Sequence, residues 1–343
     1  IPLIKSKLAL NVAGRISNYS FLNIVSFTGL MEGTRLDLHF ADINANLLYQ
    51  PTEKDRLKLT FFHNSDAFDV NQDDFTERIK AWQGNRQQNI GLNWQRIISP
   101  QTENRFHFFA DTYKFSFGNE TTTKGSKDKF LFEIESRIQS VGIEDKLSHR
   151  FLDNLTADVG VSLKTYSFSP LIDTSFIASS KKGIPFEGSL FAQTDYAFLP
   201  KQTLNLGLRF SAFGNEKQFF PSLEPRISYH GVFNGDLSLS ASMSRMSQNI
   251  HRVANPGLGI TMEIFQPSDV YLKPEISWNY SLGAAKDFKI GSANMSVKTD
   301  LWYKQMNNLV EFKDGYDAFS LILFQRNMVD KTSEYLTQGK GEA

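Results

Sequence analysis

In segment after segment of this chain the apolar residues occupy every second position. Leu204, Leu206, Leu208, Phe210 and Ala212 alternate with Thr203, Asn205, Gly207, Arg209 and Ser211. Leu155, Ala157, Val159, Val161 and Leu163 alternate with Thr156, Asp158, Gly160, Ser162 and Lys164. Ile276, Trp278, Tyr280, Leu282 and Ala284 do the same against Glu275, Ser277, Asn279, Ser281 and Gly283. A period of two means a strand with one oily and one polar face. Segments of about ten such residues, separated by turn residues, predict a transmembrane β-barrel with its oily side to lipid and its polar side to a wet lumen.

Composition is compatible with that reading without requiring it. The 343 residues suffice for one large domain or two ordinary ones, and the 41% hydrophobic content and mean hydropathy of −0.33 would equally suit a soluble protein. A barrel wall has the same average, because half of each strand and all the loops are polar. Lys+Arg 37 balances Asp+Glu 37, so no global field points to nucleic acid or an anionic surface. Phe 30, Tyr 11 and Trp 4 meet both strand propensity and the aromatic girdles of a barrel. The absence of cysteine excludes disulfides, thiol catalysis and cysteine metal sites. No apolar run reaches the roughly 18 residues of a membrane helix, so a membrane would be crossed by strands. The opening Ile1-Pro2-Leu3 carries neither an initiator Met nor a signal segment, and we read the chain as an internal piece of a longer protein, 1–343 being part of one barrel domain.

The alternation predicts strands over 8–19, 37–49, 56–66, 86–98, 104–117, 130–146, 154–168, 187–198, 203–213, 223–233, 236–247, 275–287 and 292–306. Short connections at Pro51–Asp55, Ser99–Glu103, Leu199–Gln202, Asn234–Gly235 and Phe288–Gly291 are rich in turn-forming residues. Long ones span 20–36, 67–85, 118–129, 169–186, 214–222, 248–274 and 307–338. The two kinds mostly alternate, which puts tight turns on one rim and long loops on the other. A soluble sandwich scatters long connections over both ends. The fold class is therefore all-β, an antiparallel up-and-down barrel of about thirteen strands, fourteen if another begins at Gly339. In 104–117 the apolar set slips from Phe106, Phe108 and Ala110 to Tyr113, Phe115 and Phe117. Either a bulge or an aromatic girdle where the strand leaves the membrane would account for this, and the girdle is preferred. Trp94 and Trp278 fall on the lipid phase as further girdle residues, while Arg15, Glu133, Asp158, Lys164, Arg209, Lys298 and Asp300 are expected to line the lumen.

From Phe220 onward particular motifs appear: Pro221-Ser222-Leu223-Glu224-Pro225-Arg226, then Gln248-Asn249-Ile250-His251, Phe265-Gln266-Pro267-Ser268-Asp269, Lys273-Pro274-Glu275 and Trp302-Tyr303-Lys304-Gln305-Met306-Asn307-Asn308-Leu309. This pattern resembles the barrel of TonB-dependent outer-membrane receptors, and Gly339-Lys340-Gly341-Glu342-Ala343 is similar to the opening of a following strand in that family. The resemblance implies a plugged barrel of about 22 strands in the outer membrane of a Gram-negative bacterium. The plug, its TonB-contacting box and the C-terminal strands would lie outside this sequence. It also implies partners: the TonB complex through the plug, a small ligand such as a siderophore, glycan or peptide, and outer-membrane lipid. Neither a nucleic acid nor a cofactor is implied.

Enzymatic chemistry finds little support. The six His show no paired metal spacing, and no G-x-S-x-G, Walker or G-x-G-x-x-G pattern occurs. Asp69, Asn71 and Asp73, in an acidic stretch, mimic the start of a calcium loop, but Asp74 and Lys80 stand where that loop needs Gly and Glu. The loop 248–274 sets Asn249, His251, Arg252, Asn255 and Glu263 beside Phe265, polar groups next to apolar area, as a ligand-binding loop requires. A loop that packs over its neighbours would use the same residues, Pro256, Pro267 and Pro274 included. Three function classes stay open: an energised receptor and transporter, a passive porin, and a soluble all-β adhesin.

Overall fold

Each predicted strand pairs in antiparallel register with the next. The structure, a computed structural model, describes residues 2–5, 7–19, 33–126, 129–174, 177–180, 184–215, 218–234, 236–255, 262–315 and 336–343. Its strands are β1 (Pro2–Ile4), β2 (Leu8–Asn18), β3 (Thr34–Tyr49), β4 (Asp55–Asp73), β5 (Glu77–Ser99), β6 (Thr102–Thr123), β7 (Lys129–Leu152), β8 (Leu155–Thr174), β9 (Ile177–Ser180), β10 (Phe186–Leu199), β11 (Gln202–Gly214), β12 (Phe219–Phe233), β13 (Leu237–Gln248), β14 (Ile250–Asn255), β15 (Met262–Pro267), β16 (Glu275–Ile290), β17 (Ala293–Phe312) and β18 (Leu336–Glu342). The wall runs in chain order from β1 to β18; among the described residues β9 pairs only with β8, and β14 with β15 forms a separate hairpin. The edge strands β1 and β18 do not pair with each other among the described residues, so the wall is an open arc. The thirteen predicted strands are all present, and the fourteenth is β18.

The two faces follow the alternation. Leu206, Leu208 and Phe210 are 43%, 49% and 47% exposed on the convex side, while Ser211, next in sequence and on the opposite face, is buried. Similar exposed Val, Leu and Ile residues continue around the arc. A contiguous apolar belt of this kind is untenable in water and is what lipid covers. Trp94 lies on this outer face near the turn end, its Nε1 donating to Asp55 Oδ1 at 3.1 Å. Trp278 lies near the loop end, stacked on Tyr280.

The strands β4 to β8, of 19 to 24 residues, are far longer than the expected ones. About 9–11 tilted residues suffice to cross a bilayer. The supposed loops 67–85 and 118–129 are mostly strand, and only 74–76 and 124–128 connect them. Alternation stops where the membrane stops, because above it neither face meets lipid, yet the hydrogen-bonded ladder continues.

This also corrects the reading of 104–117. The register of β6 with β7 is unbroken from Thr102 to Thr122, so no bulge exists there. Phe115 and Phe117 share the inner face with Ile134 and Ser136, and they form a buried cluster with Phe132 instead of an outward girdle. The apolar requirement passes from lipid to an internal core as the strand emerges. Glu133 is a second correction: it pairs with Gly118 on the outer phase, above the belt, not in the lumen.

Two motifs have local explanations. Pro221 and Pro225 cannot donate to a ladder, and pairing of β12 with β13 begins only at Arg226. Above that point Arg245 Nη1 supplies donors to Leu223 O at 2.6 Å and Ser222 Oγ at 2.8 Å. Asn308 adopts φ 61° in a bulge of β17 against β18, a conformation Asn tolerates better than most residues, and its Nδ2 donates to Pro274 O at 2.9 Å.

Candidate functional site: the lumen and its mouth

The inner wall is polar and cross-braced. Asp158 accepts from Lys146 Nζ and Gln193 Nε2, both at 2.9 Å, and Arg15 Nε reaches Asp42 at 2.8 Å. Lys164, Arg209, Lys298 and Asp300 also stand on this face, as the phase predicts. Rings pack against glycines: Phe191 covers Gly160, where a Cβ would meet the ring at 2.3 Å and Asp145 O at 2.7 Å. A cavity of about 660 Å³ opens on this wall among Arg105, His107, Glu144, Lys146 and Phe191. Nearer the loop end, a niche of about 680 Å³ sits on β2 to β5. Its floor is Tyr19, Phe40 and Phe68, with the Arg15 guanidinium 4.7 Å from the centre of the Phe40 ring.

The hairpin β14–β15 folds inward across this mouth. On one side β15 meets β6, β7 and β8; on the other β14 meets β17. Phe265 packs edge-on against Tyr113, their centroids 5.4 Å apart. Val253 is buried with Leu272 and Leu336, and Phe312 joins that cluster to the one around Phe115.

Below the hairpin, three of the motifs converge. His251 Nδ1 lies 3.0 Å from Glu275 Oε1, and His251 Nε2 lies 3.0 Å from Ser268 Oγ. One tautomer fills both bonds, with Nδ1–H donating to the carboxylate and Nε2 accepting from the hydroxyl. The contact order is that of a Ser-His-acid relay. Its setting is not: His251 and Ser268 are both 0% exposed, and the Ser268 N–H already donates to Asn249 O at 2.8 Å. Among the described residues the hydroxyl is closed to a substrate, and the amide of Ser268 itself is not free to bind an oxyanion. The group holds the base of a loop. Asn215 Nδ2 reinforces it with a bond to Ser268 O at 2.6 Å, and Gln338 clamps the Lys273 backbone through bonds of 3.0 and 2.8 Å.

The predicted ligand residues therefore divide. His251 is sealed, and Asn249 is buried with Nδ2 on Glu187 Oε2 at 3.3 Å. Glu187 also accepts from Arg209 Nη2 at 3.3 Å and the Tyr166 hydroxyl at 3.5 Å. Arg252 is exposed and Phe265 half-buried. Asn255 and Glu263 belong to the hairpin backbone, but their side chains lie outside the described residues, as do Pro256 and the hairpin tip. Sequence reasoning missed Ser268 and Glu275 as partners of His251, although all three stand in the quoted motifs. It also missed the Tyr19–Phe40–Phe68 floor, which alternation alone could not distinguish from the lipid face.

The acidic stretch is not a loop. Asp69, Asn71 and Asp73 lie on the outer phase of β4, where extended backbone spaces them along the strand instead of wrapping them around a point. Hydrogen bonds from Lys124 and Arg78 hold the Asp73 carboxyl below the usual carboxylate range. Among the described residues no three His, Asp or Glu come together as a metal site.

Comparison with known proteins adds the context. A sequence model described as "TonB dependent receptor-like, beta-barrel" matches residues 17–333. No curated protein matches the sequence. The siderophore receptor PirA of Acinetobacter baumannii is similar in fold at 15% identity and a TM-score of 0.62, over 91% of this chain and 49% of that one. The ferripyoverdine receptor of Pseudomonas aeruginosa is similar at 12% identity and 0.60, over 99% and 49%. A ferric enterobactin receptor (PfeA) mutant from Pseudomonas aeruginosa is similar at 16% identity and 0.58, over 90% and 50%. The chain thus spans about half the length of these structures.

Proposed function

Because this chain belongs to the TonB-dependent receptor family, and its β-barrel lies in the Gram-negative outer membrane, we propose that it forms part of the wall and mouth of a receptor for energised uptake of a scarce ligand. The observation that carries this reading is the mouth itself. A polar inner wall rises into an aromatic and polar niche on β2–β5, and a hairpin folds inward instead of outward against β6–β8 and β17. Polar groups that fix orientation beside apolar contact area are what a small-molecule site requires. The siderophores named for the similar structures make such a compound the first ligand to try, and the TonB complex is the partner that would deliver energy. Arg252 and Phe265 on the hairpin, with Asn255 and Glu263, are proposed ligand contacts; Asn249 and His251 support them from beneath.

The test uses the full-length protein in its host. Deleting the gene should abolish growth on one iron-chelate or other scarce nutrient, and supplying it should restore growth only while TonB is present. Restoration without TonB would replace this reading with a passive pore.

A further inference from the structure

On the outer face of β4 to β7, Phe61, Ile90, Ala110 and Val141 form one cross-strand row. Phe61, Ile90 and Val141 are 36%, 46% and 48% exposed, and this row closes the apolar belt on the loop side. Two rows higher, the outward residues of β5, β6 and β7 are Arg86, Lys114 and Arg137, each directly opposite the next. Each stands four positions beyond the last belt residue of its own strand. At the rise of a tilted strand this is about 10 Å above the apolar edge, the height of lipid headgroups.

Three like charges side by side repel one another, and cross-strand neighbours of one sign are destabilising. The structure compensates them only in part. Glu135, one row above, takes both Lys114 Nζ and Arg137 Nη2 at 2.5 Å. Arg86 is exposed and makes no ion pair with any described residue. The next acidic side chains on this face, Asp69 and Glu133, stand two rows further up, with Trp82 and Gly118 between them. One carboxylate against three cations leaves the row with two positive charges in excess.

We propose that Arg86, Lys114 and Arg137 bind the phosphate groups of an anionic lipid in the outer leaflet. Arginine forks suit phosphate oxygens, and lysine adds a point charge. The occupant is a lipid instead of a free anion because the row is continuous with the belt beneath it. One molecule can lay its acyl chains on Phe61, Ile90 and Val141 and place its headgroup on the cations. Such a site fixes the depth of the barrel and seats a lipid beside the strands whose inner face carries the Phe115 cluster.

The test uses the full-length receptor in a neutral detergent, with bisphosphorylated lipid A and its phosphate-free counterpart as probes in native mass spectrometry. Each single change, Arg86→Gln, Lys114→Gln or Arg137→Gln, should weaken the phosphorylated probe about fivefold, and the triple change about a hundredfold. The phosphate-free probe should bind every variant alike. Lys80→Gln with Lys129→Gln, which removes cations higher on the same face, should leave binding within about twofold. Heat-modifiable migration should show all variants folded, and Lys114→Gln should melt no lower than the parent in lipid-free detergent, since it relieves repulsion. Equal affinity in parent and triple variant would overturn the proposal. So would an equal loss in the Lys80/Lys129 control, which would mean diffuse attraction, or complete displacement of the lipid by millimolar inorganic phosphate, which would mean a free-anion site.

Discussion

At the scale of single residues, position on a strand decides tolerance more than chemical type does. Leu206 and Asn205 are neighbours in sequence, yet Leu206 meets lipid while Asn205 shares the inner face with Asp195 and Ser228. Leu206→Arg should cost about 2–4 kcal/mol if it sits near the midplane, whereas Asn205→Arg should change stability by less than about 1 kcal/mol. Denaturant unfolding in lipid vesicles checks both, and equal costs would mean that the faces are assigned wrongly. The same logic explains Gly160. It lies beneath the Phe191 ring and close to a backbone carbonyl, where no Cβ fits.

At the scale of elements, the hairpin β14–β15 behaves as a crossbar pinned at its base. The pins are His251, Ser268 and Glu275, with Gln338 on the neighbouring strand. Removing the imidazole leaves a carboxylate and a buried hydroxyl without their partner, which costs about 1–3 kcal/mol. His251→Ala should therefore loosen the hairpin without unfolding the wall. Val253, 3% exposed, reports on this directly. In a chain with no native cysteine, Val253→Cys should resist a membrane-impermeant maleimide, and adding His251→Ala should make it reactive. Continued protection would show that the contacts of β15 with β6 to β8 hold the hairpin without the pins. The long β4–β8 strands follow a related rule: the ladder outlasts the membrane, because backbone groups need partners wherever the chain runs.

For the whole molecule, the connections β3–β4, β5–β6, β7–β8, β10–β11, β12–β13 and β16–β17 lie at one end of the arc, and the hairpin, the niche and the long strand extensions with the β4–β5 turn lie at the other. Phe75, at the tip of the β4–β5 turn, is 95% exposed, and Asn234 lies in the turn after β12 at the opposite end. In intact cells Phe75→Cys should label with an impermeant maleimide, and Asn234→Cys should label only after the outer membrane is breached. Labelling of both from outside would refute the orientation.

Much of this architecture was legible before any coordinates, for one physical reason. Lipid on one side and water on the other impose a strict alternation, so the sequence by itself determined the membrane strands, their order, their facing within the apolar belt, and the family. It determined less well where strands end, because the alternation vanishes above the membrane while the hydrogen bonds persist; Asp69, Asn71 and Asp73 read as a loop for that reason. Contacts between residues distant in sequence were decided only by the tertiary structure. That His251 meets Ser268 and Glu275, that Phe115 turns inward to Phe132, and that Arg86, Lys114 and Arg137 share one row all depend on register and on how the hairpin folds across the mouth. Period-two patterning fixes the face of a side chain, and only pairing fixes its neighbours.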